Sequence, residues 1–386
     1  MNSSVYFDHA ATTPVDRRVL AAMLPFFSEQ YGNPSELHRL GREARGAVER
    51  ARAQVAAALG AEEREIVFTA GGTESDNLAL FGYLQRFEPG HLIVSAIEHP
   101  AVMEAARALN RLGWAVDFVP VDGYGEVDVQ AYENAFRADT RLASVMYANN
   151  VVGTIQPVAE LARIAHEKGA VFHTDAVQAV GSVPIDVGDL GVDMLSLSGH
   201  KLYGPKGIGA LYVKRGTRLT PIIHGGGHER RLRSGTENVP GIVGLGAALE
   251  IAVAEMAHTR PALEALRERL AAGVADRVPD SKYLGHPTRR LPGNVSFTVR
   301  YIEGESMLLQ LDAHGFMVSS GSACASGSLE PSHVILALGL AAEEAHGSIR
   351  LSLGRENTQA EGDAFLDVFP PIVEKLRLMS PLYVKG

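Results

Sequence analysis

The sequence contains a single cysteine and no long uninterrupted apolar run. Among 386 residues there is one Cys, Cys324, and one Trp. One thiol excludes an internal disulfide and a four-cysteine zinc site, so a reactive Cys324 would act alone as a nucleophile or an acceptor. No run approaches the roughly 18 apolar residues that a membrane span needs, and the first residues lack the pattern of a signal peptide. We therefore expect a cytoplasmic protein without a membrane partner.

The chain also has no excess of positive charge. It carries 36 Lys and Arg against 45 Asp and Glu, which gives a formal net charge of −9. This balance disfavours nucleic acid as a partner. With 46% hydrophobic residues, the chain can bury a sizeable core, and its length exceeds what one core usually fills. We expect two domains.

Short apolar runs alternate with amphipathic helical stretches through the first two-thirds of the sequence. This pattern predicts an α/β domain with mostly parallel strands and helices on both faces. A helix is predicted over Arg42–Leu59, where Gly60 supplies the stop. The candidate strands are Ile66–Thr69, Leu92–Ile97, Val116–Val121, Leu142–Ala148, Val171–Thr174, Met194–Ser198 and Ile208–Val213.

From Ile251 the pattern changes to a long helical stretch, Ala252–Ala275, which Pro261 could kink or divide. Shorter strands and helices follow, which indicates a smaller α+β domain. We predict a large domain over residues 15–255, and a small domain formed by residues 1–14 and 256–386 that carries Cys324.

A glycine turn follows the first candidate strand. Gly71, Gly72 and Thr73 stand between the strand that ends at Thr69 and a probable helix start. Backbone N–H groups at such a start can bind phosphate, aided by the Thr73 hydroxyl. An ordinary capped turn would have the same residues, so both interpretations stay open from this motif alone.

Two further polar groups end apolar strands. Asp175 could pair with a cationic ring nitrogen or simply cap a helix. Lys201 could form a Schiff base or be a solvated surface lysine. A phosphate cradle, an acid and a lysine are together what a protein supplies to pyridoxal 5′-phosphate. Ser198 and His200 would add phosphate donors, and Gln178 could reach the ring hydroxyl.

Long motifs in both halves of the chain resemble the cysteine desulfurases of the class V aminotransferase group, in the branch that serves iron-sulfur cluster assembly and nitrogen fixation. The resemblance implies the pyridoxal-phosphate fold type I, with a large α/β domain around a mostly parallel seven-stranded sheet and a smaller α+β domain. The motifs are Tyr6-Phe7-Asp8-His9-Ala10-Ala11-Thr12-Thr13-Pro14, Gly32-Asn33-Pro34-Ser35, Thr73-Glu74-Ser75-Asp76-Asn77, Glu98-His99, Asn149-Asn150, Ser198-Gly199-His200-Lys201, Arg233-Ser234-Gly235-Thr236, the Cys324 loop and Ser348-Ile349-Arg350.

The resemblance also assigns roles to individual residues. Lys201 would bind the cofactor covalently and remove the substrate α-proton, and His99 would stack on the ring. Thr236 would reach the phosphate of a neighbouring subunit's cofactor, which implies a homodimer. Asn33 and Arg350 would hold the substrate carboxylate. The implied cofactor-binding set is Gly72, Thr73, His99, Asn150, Asp175, Gln178, Ser198, His200, Lys201 and Thr236.

The implied reaction converts L-cysteine to L-alanine. Cys324 would take the sulfur as a persulfide and pass it to an acceptor protein, such as a cluster scaffold or a sulfur carrier. It is also a candidate transient ligand of an iron-sulfur cluster. The alternatives are a selenocysteine lyase, another class V aminotransferase, and a non-catalytic scaffold that docks sulfur carriers.

His224 and His228 flank three glycines, which disfavour a shared helical face, so we expect no metal site there. Val151 follows Asn150 where the resembled family commonly has Glu, which would remove a carboxylate near the cofactor.

Overall fold

Helices and strands alternate along most of the chain. The computed structural model describes residues 4–321 and 331–383. The strands are β1 (Val5–Tyr6), β2 (Ile66–Thr69), β3 (His91–Ser95), β4 (Ala115–Val119), β5 (Thr140–Ser144), β6 (Val171–Asp175), β7 (Met194–Ser198), β8 (Gly209–Val213), β9 (Ser281–Tyr283), β10 (Asn294–Val299), β11 (Phe316–Met317) and β12 (Ser348–Ser352). The helices are α1 (Arg17–Met23), α2 (Pro25–Ser28), α3 (Arg39–Leu59), α4 (Gly72–Leu84), α5 (Pro100–Arg111), α6 (Val129–Asn134), α7 (Val158–Glu167), α8 (Val187–Leu190), α9 (Val239–Arg277), α10 (Gly304–Ala313), α11 (His333–Ala337), α12 (Ala342–His346) and α13 (Gln359–Met379).

A seven-stranded sheet with the order β2-β8-β7-β6-β5-β3-β4 forms the large domain. Strand β8 runs antiparallel to both of its neighbours, and the remaining pairs are parallel. The expected mostly parallel sheet is thus confirmed. Strands β2 and β7 have the predicted bounds. The predicted strand over Leu142–Ala148 is regular only as far as Ser144, although the Val145 and Tyr147 N–H groups still donate to the His173 and Asp175 carbonyls on β6.

Helices cover both faces of this sheet. Helix α3 buries Val48, Ala51, Val55 and Leu59 in the core on one face. It begins at Arg39, three residues earlier than predicted, because the His38 ring accepts a hydrogen bond from the Gly41 N–H and caps the helix. Gly60 ends it in the left-handed conformation, with φ of 69°.

Helix α9 corrects two expectations. It starts at Val239, well before the predicted Ala252, and runs through Pro261 without a break. By length and composition it is apolar enough to cross a membrane, although Glu250 and Glu255 interrupt its apolar residues. Of its most apolar 18-residue window, 44% is buried in the protein, and the helix packs against α3 and α1.

The same helix joins the two halves of the molecule. Val239 and Leu249 belong to the core of the large sheet, whereas Leu266 and Val274 belong to a second core. The domain boundary predicted near residue 255 therefore falls inside a continuous helix.

The second core is built on a three-stranded antiparallel sheet, β9-β10-β12, and on α13. The N-terminal strand β1 pairs with β11 and adds Val5 to this core, and Phe7 follows it. The chain then crosses towards the large sheet, where the Thr13 N–H donates to the His200 carbonyl at 2.9 Å. Residues 8–13 thus run between the two sheets.

Helix α11 packs against the large domain. Val334 and Ile335 share an apolar cluster with Ile97 and Val151. Val151 is therefore buried among hydrocarbon side chains, where a glutamate would have to be desolvated.

Candidate active site

The glycine turn after β2 forms a cradle at the start of α4. Gly71 has φ of 153°, and a Cβ atom at Gly72 would lie 2.7 Å from the Val177 side chain. The Thr69 and Ser75 hydroxyls hydrogen-bond at 2.8 Å and hold the strand end to the first helical turn. The first N–H groups of this 13-residue helix are thereby aimed at an open pocket of about 740 Å³ that Thr73 also lines.

Side chains from the end of β7 complete that pocket. Ser198 and His200 line it together with Thr73 and Lys206. Burial, and the charges of Lys201 and Lys206, lower the pKa of His200 to about 4. A neutral ring still donates one N–H. Such donors suit a phosphate group: two hydroxyls, a ring N–H, an ammonium group and the N-terminus of a helix.

Lys201 lies at the next position along the chain, under the N-terminal segment. Its Nζ donates to the Ala10 carbonyl at 2.5 Å and to the Ala11 carbonyl at 2.8 Å. The Gln178 amide donates to the same Ala10 oxygen at 3.0 Å. Lys201 and Gln178, 23 positions apart in sequence, thus converge on one carbonyl.

Asp175 ends β6 and is buried. One carboxylate oxygen accepts from the Val177 N–H at 2.9 Å. Burial raises the pKa of Asp175, and the charges of His99 and Lys201 oppose this rise. His99 caps α5 by accepting from the Ala101 N–H at 3.1 Å, and burial lowers the pKa of its ring. Asp175, His99 and Lys201 are therefore close enough to interact electrostatically.

These residues fit pyridoxal phosphate. The phosphate would bind at the α4 cradle, and the buried Asp175 carboxylate would pair with the cationic ring nitrogen. Lys201 would supply the amine for the cofactor aldehyde, with Gln178 beside it.

Arg350 lies on β12 with its guanidinium held by two partners. One nitrogen donates to the Asn150 carbonyl at 3.0 Å, and another donates to the Asp8 carboxylate at 2.8 Å. Its Nε is buried without a hydrogen-bond partner among the described residues. Two residues further along the strand, Ser352 accepts from the Ala10 N–H at 2.8 Å. The segment that contacts Lys201 therefore also contacts Arg350. Asn150 contacts Arg350 through its main chain.

Asn33 and Thr236 lie apart from this group. Both line a smaller pocket of about 270 Å³ that also includes Tyr31. Arg350 does not line that pocket, so this single chain does not bring Asn33 and Arg350 to one site. Both Asn33 and Thr236 are exposed.

The loop before Thr236 is anchored by a buried ion pair. Arg52 makes two hydrogen bonds to Glu229, at 2.9 and 2.7 Å. Glu229 also accepts from the Phe68 N–H on β2 at 2.9 Å. The backbone of Glu229, Arg230 and Arg231 has positive φ values of 40°, 54° and 66°. The bonds to β2 and α3 hold this strained turn in place.

Sequence reasoning left three polar residues of the site without a role. Asp8 pairs with Arg350, Asp76 lies one helical turn after Thr73, and the His333 ring donates to the Glu98 carbonyl at 3.0 Å. Asp8 and Asp76 lie in two of the motifs quoted above. Asp76 follows Thr73 by three residues, and this helical spacing could have identified it as part of the site. Cys324 lies outside the described residues. Within the described part of the chain, no group of three or more His, Cys, Asp or Glu could hold a metal ion.

The comparison with known proteins agrees with this geometry. The aminotransferase class-V family matches residues 5–365. A cysteine desulfurase IscS from Methanosarcina thermophila is 53% identical over 386 residues, which covers 100% of this chain and 95% of that protein. One from Dictyoglomus turgidum is 49% identical over 383 residues, with 99% and 97% covered.

Solved structures show the same similarity. A NifS-like protein aligns with a TM-score of 0.91 and 41% identity, covering 97% of this chain and 100% of its own. A structure of SspA in complex with cysteine aligns with a TM-score of 0.81 and 38% identity, covering 92% and 99%. The chain belongs to the class-V aminotransferase family.

Proposed function

We propose that this chain is a pyridoxal-phosphate-dependent cysteine desulfurase, which converts L-cysteine to L-alanine and transfers the sulfur to Cys324. The convergence of Lys201, Asp175 and His99 beside a phosphate cradle carries the proposal. The full-length similarity to proteins named cysteine desulfurase supports it further.

The cofactor, when bound, accepts negative charge from the substrate α-carbon. Lys201 Nζ takes up the α-proton, and the Ala10 and Ala11 carbonyls orient this amine before substrate arrives. Asp175 would supply a negative charge to the cofactor's ring nitrogen, and His99 would shield the ring from water.

Sulfur transfer would use the Cys324 thiolate. Its Sγ attacks the substrate sulfur, so a new S–S bond forms while the substrate Cβ–S bond breaks. The Cβ atom keeps the electron pair of the broken bond and takes up a proton, and Lys201 Nζ returns a proton to the α-carbon, which gives alanine. Cys324 becomes a persulfide.

Arg350 would bind the substrate carboxylate. Its guanidinium presents a planar set of donors, and the buried Nε lacks a partner among the described residues. The substrate carboxylate would compete with Asp8 for this guanidinium.

We further propose that the active unit is a homodimer. Thr236 is exposed, and its pocket is separate from the phosphate cradle of the same chain. Thr236 could therefore reach the active site of a neighbouring subunit. Mixing inactive Lys201→Ala chains with inactive Thr236 variants would restore activity in hybrid dimers if Thr236 serves the partner's site, and would restore none if it serves its own.

The sulfur then passes to another molecule. Cys324 is the only cysteine in the chain, so no second thiol of the same chain can convert the persulfide into a disulfide. An acceptor protein of the scaffold or sulfur-carrier type is the proposed recipient, and a pull-down with candidate acceptors would test it.

Product analysis tests the proposed reaction. L-cysteine should yield alanine, whereas an aminotransferase would yield a keto acid. A selenocysteine lyase would act on selenocysteine and leave L-cysteine unchanged. Borohydride reduction should attach the cofactor to Lys201, and attachment to a different lysine would refute that role. A non-catalytic scaffold would bind no cofactor and form no product.

A further inference from the structure

A layer of buried polar side chains lies behind Asp175, away from the residues that the proposed reaction uses. Its members are Asp76, His173, Ser196, Ser144 and Glu98, each at most 1% exposed. Three of these five groups are titratable, and burying them is costly unless each is neutral or paired. Their position next to the aspartate of the cofactor site makes their charge state relevant to that site.

The sheet and one helix bring these groups together. Asp175 and His173 are two residues apart on β6, so both point to one face of the sheet. In the register of the parallel strands, Asp175 pairs with Ser196 on β7, and His173 pairs with Ser144 on β5. Asp76 comes from α4, one helical turn after the phosphate cradle. Helix α4 therefore contributes its first turn to the phosphate cradle and Asp76 to the surroundings of Asp175.

His173 is satisfied as a neutral ring. One ring nitrogen lies 2.8 Å from the Ser144 hydroxyl and the other lies 3.0 Å from the Ser196 hydroxyl. Burial lowers the pKa of His173 to about 3. The ring is thus uncharged at neutral pH and supplies no positive charge to Asp76, whose Oδ1 is 3.7 Å from His173 Nε2.

Asp76 is in a site that disfavours its anion. Burial is the largest cause that raises its pKa, followed by the charge of Asp175, and Glu98 acts in the same direction. Only a hydrogen bond from Ser196 opposes them. Its Oδ1 accepts no hydrogen bond from the described residues, and an anionic oxygen without a donor in a buried site is strongly destabilised.

Asp175 is in the opposite situation. The Lys201 ammonium group favours its anion, and the Val177 N–H donates to it. Two buried carboxylates that interact share one negative charge more readily than they carry two. The negative charge of the pair therefore belongs on Asp175, which interacts with Lys201 and accepts this hydrogen bond.

We propose that Asp76 is a positioning residue that stays protonated in the working enzyme and, as a neutral acid buried beside His173, keeps the negative charge on Asp175. The proposal rests on the proposed function, since Asp175 matters through the cofactor ring. Asp76 itself need not touch cofactor or substrate. Its charge state is nevertheless measurable in the protein with or without cofactor.

Infrared spectroscopy of the full chain with ¹³C-labelled aspartate tests the charge state. A protonated aspartic acid gives a C=O stretching band separate from that of a carboxylate. At neutral pH the band should be present in the wild type and in the Glu98→Gln control. It should be absent in Asp76→Asn. In Asp175→Asn the band should titrate at a lower pH, because the like charge is gone.

Cofactor binding tests the positioning role. Asp76→Leu has a similar size but no hydrogen-bonding group, and we expect its cofactor affinity to fall by about tenfold or more. Asp76→Asn, which is also neutral and polar, should recover most of that affinity. Thermal unfolding of both cofactor-free variants separates this effect from general destabilisation.

Three results would overturn the proposal. They are a wild-type spectrum without the Asp76 band, a band that is unchanged in Asp76→Asn, and equal cofactor affinity in Asp76→Leu and the wild type. Failure of the proposed function would instead appear as the absence of alanine from L-cysteine. The two failures are therefore distinguishable.

Discussion

Replacing Asp8 with Asn should tighten substrate binding. In the free protein the Asp8 carboxylate accepts a hydrogen bond from Arg350 at 2.8 Å. The Arg350 side chain is 3% exposed and that of Asp8 is 21% exposed. A substrate carboxylate that binds this guanidinium must displace or share Asp8, so the internal pair lowers the affinity for substrate.

The size of the effect follows from this geometry. A hydrogen bond between charged groups contributes about 1.5–3 kcal/mol. Partial exposure of Asp8 reduces the value through solvent screening, so we take about 1–1.5 kcal/mol. Asp8→Asn should therefore bind L-cysteine about tenfold more tightly. The free protein should become less stable, because Arg350 loses its charged partner.

The assay is equilibrium binding in a Cys324→Ala background, which blocks sulfur transfer. The change in visible absorbance of the bound cofactor reports the Kd for L-cysteine. Cysteamine, which has the amine and thiol of cysteine but no carboxylate, is the matched control and should show no gain in affinity. An unchanged Kd for L-cysteine, or an equal gain for cysteamine, would refute the exchange of Asp8 for substrate at Arg350.

Three further variants test parts of the structure away from the substrate. Burial raises the pKa of Glu98 to about 8, so the folded protein binds a proton there that the unfolded chain releases at lower pH. Stability should fall as the pH rises from about 5 to 8, and Glu98→Gln should reduce this fall. Glu229→Gln leaves the buried Arg52 without its bidentate partner and should cost about 3–5 kcal/mol of unfolding free energy. Arg231→Gly removes a side chain from a backbone position with φ of 66° and should stabilise the fold by about 1 kcal/mol.

Two of these variants, Glu229→Gln and Arg231→Gly, have matched control substitutions. Glu49 is a half-exposed partner of Arg52 at 3.2 Å. The Glu49→Gln substitution should lower the unfolding free energy by less than about 1 kcal/mol. Arg231→Ala keeps the Cβ atom and should give little of the gain expected for glycine. Chemical denaturation measures all of them. A pH-independent difference between wild type and Glu98→Gln, equal losses at Glu49 and Glu229, or equal gains for Ala and Gly would each contradict the stated cause.

The sequence was sufficient to predict the large sheet and the functional residues at the ends of its strands. Asp175 is the last residue of β6 and Lys201 comes three residues after the end of β7, and the ends of neighbouring parallel strands lie together at one edge of a sheet. Their proximity therefore follows from local pattern plus a general rule. The α4 cradle is equally local, since Gly72 and Thr73 are adjacent to the strand and begin the helix.

Contacts between distant segments could not be predicted in this way. Asp8 and Arg350 are 342 residues apart, and only the packing of the small domain on the N-terminal segment brings them together. The protonated state proposed for Asp76 depends on burial beside Asp175, which no local pattern encodes. The start of α9 was missed because its first turns contain glycines that lower helix propensity, whereas packing against α3 stabilises them.

The central claim is that Cys324 accepts sulfur from L-cysteine at a site formed around Lys201. Mass spectrometry of the peptide that contains Cys324, after a single turnover with L-cysteine and alkylation, tests it most directly. We predict that the peptide gains the mass of one sulfur atom at Cys324 and that one alanine is released per persulfide formed. The Lys201→Ala variant should give neither product. Alanine formation without added sulfur on Cys324, or unchanged sulfur release by Cys324→Ser, would contradict it.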